Sequence, residues 1–215
     1  MRQGGNDDQR PFCQRILPHL LHAMTLPFDR IPEDLWIFAY GSLIWRPGFA
    51  FEERVPARLI GAHRALCVHS FVHRGTPETP GLVLGLDLGG ACRGVAYRVA
   101  AAKRAETLAY LREREQITKV YREAIRGVSL LGQPERRVEA VCYVVDRSHP
   151  QYAGRLAIAE QLHRVRQGHG RSGPNREYVL ETVRALESLG LRDRELHLLA
   201  DMLRGGHEVQ PAQSF

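Results

Sequence analysis

Residues 36–45, Trp-Ile-Phe-Ala-Tyr-Gly-Ser-Leu-Ile-Trp, join a short apolar run to a glycine and a serine that could bind a ligand. The apolar run over 35–38 stops at Tyr40-Gly41-Ser42, which is typical of a buried strand that ends in a turn. Gly41 allows backbone conformations closed to other residues and lets a ligand approach closely. Backbone N–H groups at such a turn can bind an anion or polarise a carbonyl group. An ordinary strand-to-turn junction has the same pattern, so other residues must decide.

Glu115 is the carboxylate best placed for proton transfer, because it closes a helix predicted over residues 103–115. Residues two apart on a regular helix point about 200° apart, so Glu113 and Glu115 are not expected to face one pocket. The negative end of the helix dipole raises the pKa of a carboxylate at the C-terminus, which makes it a better base. A solvated face of paired arginines and glutamates is the alternative interpretation.

The residues at 168–173, Gly-His-Gly-Arg-Ser-Gly, match the GxGxxG pattern of dinucleotide sites. That site requires the motif between a strand and a helix, whereas here it joins two predicted helices. We therefore predict a helix–helix loop, which could still lie over a pocket.

The histidines His63, His69 and His73 could suggest a metal site, since His69 and His73 would share one face of a predicted strand. No carboxylate or cysteine with ligand spacing accompanies them, so no metal is predicted. Motifs of serine hydrolases, zinc proteases and P-loop proteins do not occur in the sequence.

Composition is that of an ordinary globular protein of 215 residues with a net charge of +6. The positive charge is spread along the chain, and no basic run or basic–aromatic interleaving predicts nucleic-acid binding. The four cysteines form no CxxC pair, and we expect free thiols. No secretion signal or membrane span is recognisable, so we expect a cytoplasmic protein with no membrane partner. The oligomeric state is left open.

The order of the predicted elements indicates an α+β domain, because strands dominate the first part of the chain and helices the last. The strands are predicted at 35–38, 54–60, 65–72, 82–88, 94–99, 123–131 and 137–145. The helices are predicted at 103–115, 155–167, 174–189 and 193–204. We expect these helices to pack on a strongly curved sheet or barrel. Residues 1–34 form a predicted, partly ordered N-terminal arm, 35–205 the domain, and 206–215 a loose tail.

Taken together, six segments resemble the ChaC family of γ-glutamylcyclotransferases in order and spacing, over about residues 35–205. They are Trp36-Ile37-Phe38-Ala39-Tyr40-Gly41-Ser42-Leu43-Ile44-Trp45, His73-Arg74-Gly75-Thr76-Pro77, Pro80-Gly81-Leu82-Val83, Gly94-Val95-Ala96-Tyr97-Arg98, Tyr110-Leu111-Arg112-Glu113-Arg114-Glu115 and Ser172-Gly173-Pro174-Asn175-Arg176-Glu177-Tyr178. The first segment alone is shared with other cyclotransferases, whereas the ordered set is specific.

The resemblance implies a small closed mixed β-barrel flanked by helices, and an enzyme that cleaves glutathione to 5-oxoproline and cysteinylglycine without a cofactor. The family's catalytic glutamate falls on Glu115, which would act as general acid and base while the γ-glutamyl α-amine attacks its own side-chain carbonyl. The implied substrate-binding residues are Ile37, Phe38, Ala39, Tyr40, Gly41, Ser42, Leu43 and Tyr178.

Two positions depart from the family pattern. Many members have glycine where this chain has Ala39, and many have arginine where it has Leu82. If that arginine holds the substrate, the chain could act on other γ-glutamyl amino acids or amines. A non-catalytic glutathione sensor on the same fold is the second alternative, although a sensor would not need Glu115.

Overall fold

The structure is a computed structural model that describes residues 34–115, 118–132 and 136–205. The predicted tail at 206–215 lies outside the described residues, as does the predicted arm at 1–34 apart from Asp34. Within the described part of the chain, no helix combines the length and apolar character needed to span a membrane.

Five strands form a closed barrel with a mixed strand direction. They are β1 (Leu35–Ala39), β2 (Glu53–Ser70), β3 (Gly81–Val99), β4 (Tyr121–Leu130) and β5 (Arg136–Val145). The strand order is β1-β3-β2-β4-β5, and β1 closes the barrel by pairing antiparallel with β3 and parallel with β5. The predicted α+β class with a small closed mixed β-barrel is confirmed.

Two pairs of predicted short strands prove to be two continuous long strands, β2 and β3, which form one antiparallel hairpin. Gly61, Gly89 and Gly90 fall in the gaps between the strands predicted at 54–60, 65–72, 82–88 and 94–99, but they lie inside this hairpin with φ of 92°, 94° and 70°. The β2–β3 register shifts between Ile60 and Ala62. A glycine with positive φ inside a strand forms a bulge that bends the strand. These glycines therefore mark bends that let the hairpin curve around the barrel.

Four α-helices are described beside the barrel: α1 (Arg104–Glu115), α2 (Ile158–Gln167), α3 (Asn175–Glu187) and α4 (Arg194–Gly205). The last three pack on one another, and α3 also contacts β3 and the 3₁₀ turn at Ser42–Ile44. The loop at 168–173 joins α2 to α3 and contains two short paired strands, β6 (His169–Gly170) and β7 (Gly173–Pro174). Its predicted position between two helices is confirmed.

Asn175 fixes the start of α3 against the start of β3. Its fully buried side chain accepts a hydrogen bond from the Leu82 N–H at 2.6 Å and donates one to the Leu82 carbonyl oxygen at 2.7 Å. Helical residues three apart lie on one face, so Tyr178 is presented to β3 one turn after Asn175. This pairing of a helix with a strand edge sets one wall of the cavity described below.

Candidate active site

A cavity of about 530 Å³ lies between the end of β1, the end of α1, the start of β3 and the first turn of α3. Sites for small organic ligands have volumes of about 300–1,000 Å³, so this cavity could hold a tripeptide-sized molecule. Four of its five tyrosines, which we call the inner wall, are Tyr40, Tyr121, Tyr143 and Tyr178, whereas the fifth, Tyr110, contacts Arg114. Four polar residues at its more exposed edge, which we call the mouth, are Arg46, His73, Arg74 and Ser172.

The turn after β1 forms one side of this cavity through Tyr40, Gly41, Ser42 and Leu43. A 3₁₀ turn starts at Ser42, and the Ile44 N–H donates to the Gly41 carbonyl oxygen at 2.9 Å. The first N–H groups of a helical turn have no acceptor within that turn. The amides at the start of this turn are therefore the donors best placed to bind an anion or a carbonyl oxygen.

Gly41 does not adopt a positive φ, because its φ is −132°, so its role concerns the space in front of the turn. A Cβ atom built on Gly41 would lie 3.6 Å from the Tyr178 hydroxyl oxygen and 3.5 Å from Leu84 Cδ1. Both distances are ordinary van der Waals contacts, so an added methyl group would fit. It would, however, occupy the space between the turn and Tyr178.

Tyr40 is fixed at both its backbone and its hydroxyl. Its carbonyl oxygen accepts a hydrogen bond from Arg64 Nε at 2.5 Å, and its hydroxyl donates to the Tyr143 carbonyl oxygen at 2.8 Å. Arg64 also pairs with Asp193 at 3.1 Å. The turn is thereby attached to three other parts of the fold, which limits how far its amides can move.

Glu115 is the last residue of α1, and its side chain lines the cavity with 16% exposure. Its carboxylate lies 3.1 Å from Arg114 Nε. Burial raises the pKa of Glu115 and the positive charge of Arg114 lowers it, and the net result is a raised pKa. A carboxyl group in this state can hold or release a proton nearer to neutral pH than an exposed glutamate.

Arg114 connects the two halves of the cavity. Besides its ion pair with Glu115, it donates from Nη2 to Ser42 Oγ at 3.0 Å and from Nη1 to the Arg46 carbonyl oxygen at 2.6 Å. A further hydrogen bond from Nη1 reaches the Tyr110 hydroxyl at 2.9 Å. One guanidinium group therefore holds the end of α1 against the turn after β1.

Tyr178 and Tyr121 use their hydroxyl groups in opposite ways on the same residue of β3. The Tyr178 hydroxyl accepts a hydrogen bond from the Leu84 N–H at 3.1 Å, whereas the Tyr121 hydroxyl donates to the Leu84 carbonyl oxygen at 2.8 Å. Burial raises the pKa of Tyr178 to about 12, so its hydroxyl is protonated at neutral pH. Because the Leu84 contact uses an oxygen lone pair, the Tyr178 proton remains available to a ligand.

The mouth carries positive charge. Arg74 is half-buried, lies 5.6 Å from the ring centroid of Tyr178 and donates from Nη1 to the Pro174 carbonyl oxygen at 3.1 Å. His73 Nδ1 lies 2.9 Å from Ser172 Oγ, which brings the 168–173 loop to the cavity edge. The expectation that this loop lies over a pocket therefore agrees with its position.

The three histidines considered for a metal site each contact a different group in the described structure. β2 ends at Ser70, so His73 is not on the strand that carries His69, contrary to the expected shared face. His69 stacks on Phe71, and His63 Nδ1 lies 3.0 Å from the Gly89 carbonyl oxygen. Among residues 34–115, 118–132 and 136–205, no group of three histidine, cysteine, aspartate or glutamate side chains could hold a metal ion.

A sequence model of the family described as ChaC-like protein matches residues 35–205. The chain belongs to the ChaC-like protein family. It is 34% identical over 175 residues to the glutathione-specific γ-glutamylcyclotransferase of Escherichia coli K12, covering 81% of this chain and 75% of that protein. It is 35% identical over 179 residues to human glutathione-specific γ-glutamylcyclotransferase 1, covering 80% of this chain and 78% of that protein.

A solved structure has the same fold. The crystal structure of a γ-glutamyl cyclotransferase specific to glutathione from yeast superposes with a TM-score of 0.73 at 22% identity. The match covers 80% of this chain and 96% of that chain. The closed barrel with its helices is therefore the architecture of this ChaC-like protein.

The cavity brings together six of the residues predicted for the site. They are Tyr40, Gly41, Ser42, Leu43, Glu115 and Tyr178. The other three, Ile37, Phe38 and Ala39, do not line it. They are at most 1% exposed and belong to β1, whose faces are both covered because the strand crosses the core. The predicted binding loop at 37–43 is thus divided into a buried strand and a cavity-lining turn.

Glu113 corrects a second expectation. It lines the same cavity as Glu115, although residues two apart on a helix point in different directions. The last three residues of α1 all line the cavity, where Glu113 is exposed and Glu115 is half-buried.

Sequence reasoning missed most of the other residues that line the cavity. Arg114 is next to Glu115 in a family segment, so the position of Glu115 could have indicated that Arg114 also lies at the site. Tyr121 and Tyr143 had no such signal, because only the pairing of β4 with β5 brings them to one wall.

Proposed function

We propose that this chain is a lyase that cleaves glutathione to 5-oxoproline and cysteinylglycine as a γ-glutamylcyclotransferase. The names of its E. coli and human relatives support this activity. The observation that carries the proposal is the position of the Glu115 carboxylate, in one cavity with the amides of the turn after β1 and the Tyr178 hydroxyl.

The proposed reaction is intramolecular. The α-amine of the γ-glutamyl group attacks its own side-chain carbonyl carbon, and a five-membered lactam forms while the amide bond to cysteine breaks. Holding the reacting atoms in position can contribute several kcal/mol to such a step. The inner wall suits this task, because its tyrosines are held in place by hydrogen bonds and can restrict the conformations of the glutamyl chain.

Glu115 takes a proton from the ammonium group and later gives it to the departing nitrogen. An α-amino group has a pKa of about 8, so deprotonation at neutral pH requires only about 1–2 kcal/mol. The return of the proton matters more, because an unprotonated amide nitrogen is a poor leaving group. The raised pKa of Glu115 suits both transfers, since it brings the carboxyl closer to the amine in proton affinity.

The amides at Gly41, Ser42 and Leu43, together with the Tyr178 hydroxyl, would bind the α-carboxylate or the oxyanion that develops on the carbonyl oxygen. Preorganised donors that face developing charge typically contribute about 2.7–4 kcal/mol each. The hydrogen bonds that hold Tyr40 and Arg114 in place support this role, because they fix the turn before substrate arrives.

The test is incubation of the purified protein, without added metal, with glutathione and a panel of γ-glutamyl dipeptides and amines, followed by mass spectrometry of 5-oxoproline. Release from glutathione at a rate far above the uncatalysed one is the expected outcome. Release only from other γ-glutamyl compounds would point to the broader cyclotransferase. If none of the compounds yields product while glutathione still binds, the sensor becomes the better interpretation.

The presence of Leu82 gives little structural support to an activity on other γ-glutamyl amino acids or amines. Its side chain is fully buried, and the residue does not line the cavity. The difference from the family at this position therefore changes the core beside Asn175 and not the cavity wall. The cytoplasmic location and the N-terminal arm stay predictions.

A further inference from the structure

Arg74 is a charged residue of the mouth that the proposed chemistry does not use. Its guanidinium is half-buried beside Tyr178 and donates to the Pro174 carbonyl oxygen, while its backbone N–H donates to Ser70 Oγ at 2.9 Å. Among the described residues, no carboxylate forms an ion pair with it. Glu177 is close enough to favour its charge but is not bonded to it.

A half-buried guanidinium without a carboxylate partner can still bind an anionic ligand. Taking a guanidinium out of water is unfavourable unless an anion compensates it, and burial accordingly lowers the pKa of Arg74. The planar guanidinium fork matches a carboxylate, which it can bind through two parallel hydrogen bonds. The single bond to Pro174 leaves other N–H groups available for such a ligand.

The position of Arg74 relative to Tyr178 indicates the direction in which a bound substrate extends from the inner wall to the mouth. The Tyr178 hydroxyl lies next to Gly41 in the inner part of the cavity, and Arg74 lies over the ring of the same side chain, towards the mouth. A substrate whose γ-glutamyl end reaches Gly41 and Glu115 must extend its other end past this ring. In a γ-glutamyl peptide that end carries a carboxylate, whereas in a γ-glutamyl amine it carries none.

We propose that Arg74 binds the C-terminal carboxylate of the peptide that leaves, and so selects γ-glutamyl peptides over γ-glutamyl amines. The inference rests on the proposed function, since it assigns the second end of the same substrate. The carboxylate takes no part in bond making or breaking, so its contact is equally strong in the ground state and the transition state. Such uniform binding lowers KM and leaves kcat unchanged.

The experiment compares glutathione with glutathione whose glycine carboxylate is an amide, using wild type, Arg74→Gln, Arg74→Lys and Arg171→Gln. We expect Arg74→Gln to lower kcat/KM for glutathione by about tenfold to a hundredfold, through KM, as is typical for loss of a charge-assisted hydrogen bond. The amide should be a poor substrate for wild type and should change by less than about twofold in the variant.

Two variants separate the contact from general effects. Arg74→Lys should recover part of the glutathione activity, because lysine keeps the charge without the planar fork. Arg171→Gln removes one positive charge from the loop beside the mouth, at an exposed residue that does not line the cavity, and should behave like wild type. Equal losses for both substrates in Arg74→Gln, or no loss for either, would overturn the proposal.

Binding distinguishes a failure of this subsite from a failure of the proposed function. Calorimetry with the Glu115→Gln protein should show weaker binding of the amide than of glutathione, and the added Arg74→Gln change should remove that difference. If wild type releases no 5-oxoproline but the binding difference is present, the chemistry is wrong and the subsite stands. If turnover occurs and the difference is absent, the subsite is wrong.

Discussion

The inner wall of the cavity is built from buried or half-buried tyrosines, three of which bond to strand backbone, whereas its mouth carries arginine side chains on loops. Tyr40 and Tyr121 donate to backbone carbonyl oxygens, and Tyr178 accepts from a backbone N–H. At the mouth, by contrast, Arg46 is exposed and Arg74 is half-buried. The difference indicates a division of tasks. The fixed groups of the inner wall can preorganise the reaction, whereas the cations of the mouth can attract ligands and select among them.

The largest effect should come from Glu115, whose carboxylate completes the inner part of the cavity. Glu115→Gln keeps the shape of the side chain but cannot transfer a proton, so we expect kcat to fall by about 10²–10⁴-fold. The release of 5-oxoproline from glutathione measures this. Glu106→Gln is the matched control, since it changes an exposed carboxylate on the same helix that does not line the cavity. Parent activity in a folded Glu115→Gln protein would remove Glu115 from the mechanism.

The next effect should come from the two tyrosines that bond to Leu84. Tyr178→Phe removes the hydroxyl whose proton is available to the substrate, and we expect kcat/KM to fall by about tenfold to a hundredfold. Tyr121→Phe also removes one hydrogen bond to Leu84, but its proton is already used there. Thermal unfolding should change similarly in both variants, so equal activity losses would assign Tyr178 a structural role only.

A smaller effect is expected from Arg114, whose charge influences the pKa of Glu115 and thereby proton transfer. Its positive charge lowers the pKa of Glu115, while burial raises it. Arg114→Gln should therefore raise this pKa further and move the acid limb of the kcat/KM profile to higher pH, because Glu115 must be ionised to accept a proton. Arg114→Lys should move the limb back. An unchanged limb in Arg114→Gln would mean that another group controls it.

The smallest effect concerns stability. Because the folded-state pKa of Glu115 is raised, the protein loses stability as pH rises from the ordinary glutamate value through the folded-state value. Glu115→Gln avoids this loss, so at about pH 8 it should unfold at a higher temperature than wild type. At about pH 4, where the carboxyl is protonated, the two proteins should unfold alike. A gain that is equal at both values would contradict the prediction.

Local pattern was sufficient for the elements of this protein and for part of its site. The apolar run at Leu35–Phe38 and the turn at Gly41-Ser42 predicted β1 and the cavity-lining turn, because strand and turn chemistry act between neighbours in sequence. The ordered family segments then indicated Glu115 and Tyr178. The positions of Gly61, Gly89 and Gly90 were misinterpreted, since glycines with positive φ occur in both turns and bulges and only strand pairing tells the two apart.

The sequence by itself determined the helices, the approximate positions of the strands, the family and the residue types able to do the chemistry. Only the tertiary structure decided which residues meet: Arg114 with Ser42, Tyr121 and Tyr178 on one residue of β3, and Arg74 over the Tyr178 ring. The physical reason is that these contacts depend on barrel closure and on the docking of α3 through Asn175. Both arise from pairing between residues far apart in the chain, which no local pattern encodes.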